Sequence, residues 1–513
     1  MKYLKHKSNL LIAFFCAVLV LNSCTDLEEE NFDVLTEDEI DPTDPNTLEL
    51  VIKGVYISLI RPFNWRDLNL LQESSTEISV TPGRDGLNWE TNNEQDFKLH
   101  NWNSTNTFFQ RLYEGFTITV GRANSLLRSI NGNPELEDIA GEAKFYRALA
   151  YFNLYDLFRY VPVVDENSDT FVPQGNQPIE EQSQKVFDFI EQDLLDAVAG
   201  LPSKEDVSSD YYPRATKEAA QTLLGKLYLN SQVWTGVEKW QEADDILSEV
   251  IGKYTLTESI TDSYVPENEG SPEIIFSVLK SRLAEGSFPD QEGNVINLLG
   301  LTQDYVREVL GFEQLDGFGG PGVSSDHYDT YDPDDFRRSL ILFGPQNDPE
   351  GNLVVDYVPI EDLFEAGSNK DEEKRYQGLK SIKYGFDSTT ILRGSENDLV
   401  ILRYADVLLM KAETQIRLNG AGAGDDLINE VRARNFDPDK PVSGAGLDEL
   451  LAERGWEFMY DNLRRQDLVR FGRFTTNTYK FKEAPSQEFR NIFPLPQNEV
   501  DRNINMIQNP DYN

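Results

Sequence analysis

The sequence predicts an all-α fold: a core of helix pairs joined to a large irregular, loop-rich subregion that carries a few short strands. Apolar residues recur at helical spacing on both sides of residues 261–396, whereas within that span the helical periodicity largely fails. A second observation is the stretch 141–162, which is apolar on nearly every side of a helical wheel. Such a helix is typical of the centre of a helical core.

The remaining predicted helices follow from the same spacing. They cover residues 46–60, 107–130, 182–201, 216–233, 238–251, 399–418, 425–434 and, with breaks, 447–471. In the central helix, small residues such as Ala143 and Ala148 allow neighbouring helices to approach, while its aromatic residues supply apolar area. Val161-Pro162 ends it, because proline has no amide hydrogen and disfavours a helical residue before it.

One predicted helix pair, 216–233 with 238–251, has a recognisable signature. Leu224-Gly225-x-x-Tyr228 matches the core of a tetratricopeptide repeat, and the apolar spacing of the second helix fits that repeat after an insertion. The glycine lets the two helices cross closely. The helix pair predicted at 399–418 and 425–434 has similar proportions but lacks the Leu-Gly-x-x-Tyr motif. The sequence shows no regular 34-residue period. The helix pairs are therefore tetratricopeptide-like, and a long solenoid is not expected.

Two regions between the helices are predicted to be irregular. Within 261–396, short strands are expected at 273–278 and 380–386, and the glycine-rich stretch at 317–322 is an evident loop. Residues 61–106 are expected to form a polar loop region that nevertheless holds three of the chain's six tryptophans. Large aromatic residues are unusual in a polar loop and point to a role there.

The chain begins with the pattern of an export signal. Three lysines precede an apolar stretch that is too short to span a membrane comfortably. Leu21-Asn22-Ser23-Cys24 resembles the bacterial lipobox, which implies cleavage before Cys24 and acylation of that residue. We therefore expect a cleaved signal peptide at 1–23, a lipidated acidic tether at 24–40, and a single domain at 41–513 with the irregular insertion at about 261–396.

The charge and the cysteines limit the possible partners. The formal net charge is −42 at pH 7, and removal of residues 1–23 with their three lysines makes it −45. Nucleic acids and anionic bilayers require a basic face, so neither is expected to bind, and membrane contact is expected through the lipid alone. Cys16 lies in the signal and Cys24 carries the lipid, which excludes disulfides and cysteine-ligated metals.

Patterns of catalytic residues are weak. Only His100 and His327 remain after signal removal, too few for a multi-histidine metal site and poorly suited to a triad. A cluster of aspartates could ligate calcium, but it lacks the EF-hand glycine and closing glutamate, so a hydrogen-bonded turn is favoured: Asp326, Asp329, Asp332, Asp334 and Asp335. We expect no catalytic residue, no metal and no cofactor.

Several segments, in this order, resemble the SusD/RagB family of surface nutrient-binding lipoproteins. They are GEAKFYRAL at 141–149, RATK at 214–217, LRYADVLLMKAE at 402–413, NEVRAR at 429–434, RQDLVR at 465–470, PLP at 494–496 and QNP at 508–510. Departures are Phe109, where tryptophan is common, and Gly455-Trp456 in place of a more polar pair. The resemblance covers essentially the whole mature chain.

The resemblance implies a tetratricopeptide-like helical core, no catalysis, and a lipoprotein on the outer face of the outer membrane. It further implies capture of an oligosaccharide or polysaccharide, which is delivered to a SusC-like TonB-dependent transporter over which the protein closes like a lid. The acidic run after Cys24 resembles the export tag of surface lipoproteins in Bacteroidetes-type bacteria.

The predicted ligand site lies mainly in the 61–106 region. A sugar receptor needs exposed aromatic planes beside carboxylates, amides and guanidinium groups, because sugars present apolar C–H faces and hydroxyls. Trp89 is the predicted stacking residue, with Arg84 and Glu77 as hydroxyl partners. Trp102 is expected to pack beneath the loop. The other predicted ligand-binding residues are Asn64, Trp65 and Arg393.

Three other functions remain open from the sequence. A peptide receptor of the same fold is the closest alternative, since some relatives in the family take peptides. A lipid-anchored glycosidase would need a carboxylate pair, which cannot be located among 89 acidic residues. A scaffold that binds only proteins through its helix pairs would bind the transporter but no glycan.

Overall fold

The computed structural model describes residues 44–63, 65–83, 92–280, 301–312, 317, 319–364, 377–386 and 396–512. Its α-helices are α1 (Pro45–Ile57), α2 (Trp65–Gln72), α3 (Asn92–Leu99), α4 (Thr107–Ile130), α5 (Glu137–Phe158), α6 (Ile179–Gly200), α7 (Lys217–Thr235), α8 (Trp240–Ser248), α9 (Ser325–Tyr328), α10 (Tyr404–Asn419), α11 (Asp425–Ala433), α12 (Leu447–Glu457), α13 (Arg464–Arg470) and α14 (Gln497–Arg502).

The strands are short and pair in twos. They are β1 (Ser79–Val80), β2 (Ile274–Val278), β3 (Gly322–Val323), β4 (Ile341–Leu342), β5 (Gly344–Asn347), β6 (Leu353–Tyr357), β7 (Lys380–Ser381) and β8 (Leu399–Arg403). All four pairs are antiparallel: β1 with β3, β2 with β8, β4 with β7, and β5 with β6. The fold is helix-dominated, as predicted.

The central helix α5 is buried on almost every side from Gly141 onward. It packs between α4 and α6, and α7 continues the row beyond α6. The helix starts about one turn before its predicted start. It also ends about one turn before Pro162, because Arg159 already adopts a positive φ of 58°. The alternating small and aromatic residues of α5 thus fill the space between two neighbouring helices.

Helices α7 and α8 form the predicted tetratricopeptide-like pair. Gly225 of α7 lies so close to α8 that a Cβ atom there would stand 2.6 Å from Cδ2 of Leu247. Helix α8 also packs against α10, and α10 packs against α11. The α7–α8 pair therefore packs beside the α10–α11 pair, although the sequence between the two pairs is irregular.

The structure corrects three of the predicted elements. The predicted helix at 399–418 begins as strand β8, because Leu399 to Arg403 pair with Ile274 to Val278 and only Tyr404 onward is helical. The polar loop region 61–106 contains α2, β1 and α3. The predicted strand at 380–386 is limited to β7. Strands β2 and β8 lie near the two ends of the irregular region and pair with each other. Both strands contact α7 of the helical core.

A buried ion network fastens this region to the helices. Glu457 at the end of α12 accepts hydrogen bonds from Arg403 at 2.7 Å, Arg434 at 2.6 Å and Arg337 at 3.0 Å. Arg403 and Arg434 also bind Glu273, which directly precedes β2. These side chains are almost fully buried, so each charge depends on its partners.

Candidate functional site

Glu77 lies in the turn that leads into β1, at the start of the predicted ligand region. Its Oε1 accepts a hydrogen bond of 2.7 Å from Nε of Arg464, while its buried Oε2 accepts none from the described residues. Burial raises the pKa of the Glu77 carboxyl, but the Arg464 guanidinium outweighs it and the net pKa is lowered. Glu77 is therefore an ionised group held in a fixed orientation.

Three side chains hold the backbone of this turn. Buried Lys98 donates from Nζ to the carbonyl oxygens of Thr76 at 2.6 Å and Ser79 at 3.0 Å. Tyr479 donates from its hydroxyl to the carbonyl oxygen of Ser75 at 2.8 Å. Nε2 of His100 lies 2.8 Å from the same oxygen. We call Lys98, His100 and Tyr479 the turn clamp. It holds the backbone of residues 75–79, which leads into β1.

Burial sets the charge of the clamp. It lowers the pKa of Lys98 to about 7, opposed by the carboxylates of Glu77 and Asp326. It also lowers the pKa of His100 to about 3. The imidazole of His100 is therefore neutral at physiological pH and is engaged in hydrogen bonds.

The segment after β1 is held against residues 360–364. The amide of Gly83 donates to the carbonyl oxygen of Leu363 at 2.8 Å, and a Cβ at Gly83 would lie 3.0 Å from the carbonyl oxygen of Phe364. Val80, Ile360 and Leu363 form a small apolar cluster beneath this contact. Phe364 is 51% exposed, so an exposed aromatic residue lies next to Gly83.

Sequence reasoning did not identify Phe364. It lies in the irregular region, more than 270 residues along the chain from Gly83, and no local pattern links the two. The hydrogen bond between Gly83 and Leu363 and the packing of Val80 on Ile360 and Leu363 bring the two segments together.

Most of the predicted ligand residues lie outside the described part of the chain. These are Asn64, Arg84, Trp89 and Arg393. Trp65 is the first residue of α2, and its side chain also lies outside the description. Their roles stay predictions. Of the predicted ligand residues, the structure describes the side chain of Glu77, which is bonded to Arg464.

Trp102 is a core residue, as expected. It is only 2% exposed, and its indole Nε1 donates to the hydroxyl of Tyr512 at 2.8 Å. Its ring packs against Phe97 and Phe493. This tryptophan therefore supports the region from below.

The aspartate cluster is arranged as salt-bridged turns. Nζ of Lys440 donates to Asp332 at 2.9 Å and to Asp334 at 2.8 Å, and Asp335 binds the buried Arg337. Asp326 accepts the amide of Lys480. In the described part of the chain, no three acidic, histidine or cysteine side chains are grouped as metal ligands would be.

A small cavity lies between α2, α5, α7 and β8. Its volume is about 50 Å³, and Gln72, Asn153 and Asn462 supply polar atoms to its wall. Ligand pockets usually measure about 300–1,000 Å³. This cavity has the size for a few water molecules and is too small for a sugar ring.

Family models match most of the chain. The model of the SusD family matches residues 243–512, which is more than half of the chain. A second model, described as starch-binding associating with outer membrane, matches residues 47–229.

Individual proteins agree with these matches. The starch-binding protein SusD of Bacteroides thetaiotaomicron is 22% identical over 451 residues, which covers 80% of each chain. A solved laminarin-binding SusD-like protein aligns with 91% of this chain and 100% of its own, with a TM-score of 0.72 and 23% identity. Surface glycan-binding protein A from Bacteroides uniformis aligns over 91% and 100% of the two chains, with a TM-score of 0.70 and 20% identity.

Across the described ranges, no helix combines the length and apolar character needed to cross a membrane. The helix-pair core and the irregular region align with the solved SusD-like folds over nine-tenths of the chain. Together with the family model that covers residues 243–512, this shows that the chain belongs to the SusD/RagB family.

Proposed function

We propose that this protein is an outer-membrane lipoprotein that captures oligosaccharides or polysaccharides at the cell surface and delivers them to a SusC-like TonB-dependent transporter. The observation that carries the proposal is its membership of the SusD/RagB family. Among the similar proteins, one binds starch and another binds laminarin, so a glycan is the ligand class that the comparisons favour.

The geometry around Glu77 supports a ligand surface at this place. Arg464 holds the Glu77 carboxylate, and the turn clamp holds the backbone of its turn. The Gly83–Leu363 hydrogen bond holds the residue that precedes the segment 84–91. In the proposed complex, Trp89 stacks on a sugar ring while Arg84 and Glu77 bind hydroxyls. Asn64, Trp65 and Arg393 complete the proposed set, and exposed Phe364 adds a second apolar plane.

Calorimetric titration with defined oligosaccharides and, in parallel, with peptide digests tests the ligand class. We expect glycan binding, weakened at least about tenfold by Trp89→Ala, since stacking of a buried aromatic ring contributes about 1.5–3 kcal/mol. Arg84→Ala should weaken it as well. Matched controls are Trp240→Ala on α8 and Arg502→Ala, a largely exposed arginine on α14, which should leave affinity unchanged.

The peptide-receptor and glycosidase alternatives have distinct outcomes, and a scaffold would bind the transporter but neither glycans nor peptides. Binding of peptides without glycans would replace the proposed ligand class. Release of reducing ends from a polysaccharide would identify a glycosidase. Unchanged affinity in both Trp89→Ala and Arg84→Ala would show that the glycan binds elsewhere on the molecule.

A further inference from the structure

Two neighbouring surface segments expose four large apolar side chains. Phe171 is 94% exposed and Val172 is 52% exposed in the connection between α5 and α6. Ile504 is 95% exposed and Ile507 is 49% exposed in the segment after α14. We call these four residues the apolar patch. Large apolar side chains exposed together on neighbouring segments are typical of an interaction site.

Side-chain amides join the two segments that carry the apolar patch. Nδ2 of Asn505 donates to the carbonyl oxygen of Pro173 at 2.7 Å, and Nδ2 of Asn503 donates to that of Gln174 at 2.8 Å. Asn176 binds Ile507 in both directions, donating to its carbonyl at 2.8 Å and accepting its amide at 3.0 Å. The segments therefore form one bonded unit.

Gly175 makes this unit compact. A Cβ atom at Gly175 would stand 2.4 Å from the carbonyl oxygen of Asn505, so only glycine allows the two backbones to meet. Because the unit is held in place before any partner arrives, little conformational entropy is lost when the patch is covered. A bonded loop pair that keeps Phe171 and Ile504 in solvent has the properties of a preorganised binding surface.

Charge around the apolar patch restricts what can cover it. The two segments, 165–176 and 499–512, contain one basic residue, Arg502, and six acidic ones: Asp165, Glu166, Asp169, Glu499, Asp501 and Asp511. A second copy of this chain, with a net charge of −42, would be repelled, as would its own acidic N-terminal segment and an anionic lipid surface. The complementary partner is a different protein whose apolar contact surface is rimmed by lysine or arginine.

We propose that the apolar patch is the surface through which this protein docks on its transporter. The inference rests on the transporter partnership of the proposed function, but it does not depend on which ligand is carried. The transporter would offer an apolar contact area for Phe171 and Ile504, with basic residues facing the exposed carboxylates of Asp169, Asp501 and Asp511.

The test uses the purified full-length lipoprotein and a SusC-like TonB-dependent transporter from the same organism, solubilised in detergent, with affinity measured by biolayer interferometry. The variant Phe171→Asp with Ile504→Asp should weaken binding at least about tenfold, as expected for central apolar anchors. Asn505→Ala, which removes one bond between the segments, should weaken it less. The matched control is Leu353→Asp, which changes a side chain 63% exposed on the β5–β6 hairpin and should have no effect.

Glycan affinity and thermal stability are measured on the same variants. Loss of transporter binding with unchanged glycan affinity supports the inference. If neither the wild type nor any variant binds a glycan, loss of transporter binding in the double variant still supports it. Unchanged transporter binding in the double variant overturns it, and so does failure of the wild type to bind the transporter. Self-association of the wild type that the double variant abolishes would assign the patch to a second copy instead.

Discussion

At the scale of single residues, Glu457 shows how the irregular region stays attached to the helices. Its carboxylate lies among Arg337, Arg403 and Arg434 and is fully buried. Ion pairs at this depth depend on complete partnering, since a charge left alone inside a protein is costly. Loss of this one carboxylate would affect three cations at once.

Glu457→Gln should lower the free energy of unfolding by about 3–5 kcal/mol, because it leaves buried guanidinium groups without full compensation. Urea denaturation at pH 7 measures this. The matched control on the same helix is Asp448→Asn, whose side chain is 75% exposed and pairs with Arg473 at the surface. That change should stay within about 0.5 kcal/mol.

The same variant should change the dependence of stability on pH. Burial raises the pKa of Glu457, but the three guanidinium groups outweigh burial and lower it far below its ordinary value of 4.5. The stability from this group is therefore present above pH 4.5 and is lost as the pH falls toward the lower folded-state pKa. Denaturation at several pH values from 7 downward should show a shallower acid loss in Glu457→Gln, and parallel curves would contradict this account.

Residues of the candidate site differ in how well the sequence predicts their structural role. Trp102 could be assigned to packing because large aromatic residues are mostly buried, and it is. The turn clamp could not be predicted, because Lys98 and Tyr479 lie far apart in sequence and act on backbone carbonyls. A lysine in an amphipathic stretch normally faces water, and only the fold reveals that this one is buried.

At the scale of elements, helices with a continuous apolar stripe were predictable. Helix α4 has the predicted bounds, and Asn106 caps it by accepting the amide of Phe108 at 3.0 Å. Strand β8 was not predictable, because Leu399 to Leu402 are uniformly apolar and fit a buried strand or a buried helix equally well. Its partner β2 lies more than 120 residues earlier, beyond the reach of local patterns.

The α7–α8 crossing gives a test at this scale. Gly225→Ala should destabilise the protein by about 1–3 kcal/mol, since the new methyl group would overlap the buried side chain of Leu247. Thermal denaturation is the measurement. The matched control is Gly121→Ala on α4, where no atom lies within 4 Å of the added Cβ and a gain of about 0.5–1 kcal/mol is expected.

A double variant checks the cause. Leu247→Ala makes room for the methyl group, so Gly225→Ala should cost much less in that background than in the wild type. Additive losses in the double variant would mean that the glycine matters for some reason other than the close crossing of α7 and α8.

At the scale of the whole molecule, the acidic charge and the N-terminal segment bear on how the protein would be attached to a membrane. The described residues begin at Asp44, and the 20 residues from Cys24 to 43 could reach at most about 66–72 Å if fully extended. None of the helices in the described ranges could span a bilayer, and the net charge of −42 opposes binding to anionic lipid. The lipobox-like residues Leu21-Asn22-Ser23-Cys24 predict that membrane attachment depends on acylation of Cys24.

Cys24→Ala should abolish both the incorporation of labelled palmitate and the cleavage of the signal peptide. The matched control is Cys16→Ala, which changes the other cysteine of the chain, inside the predicted signal peptide, and should leave both properties intact. Because lipid addition and cleavage before Cys24 are coupled, the alanine variant should also migrate as a longer chain on a gel. Palmitate labelling of Cys24→Ala, or its migration at the length of the wild-type chain, would show that Cys24 is not the site of acylation.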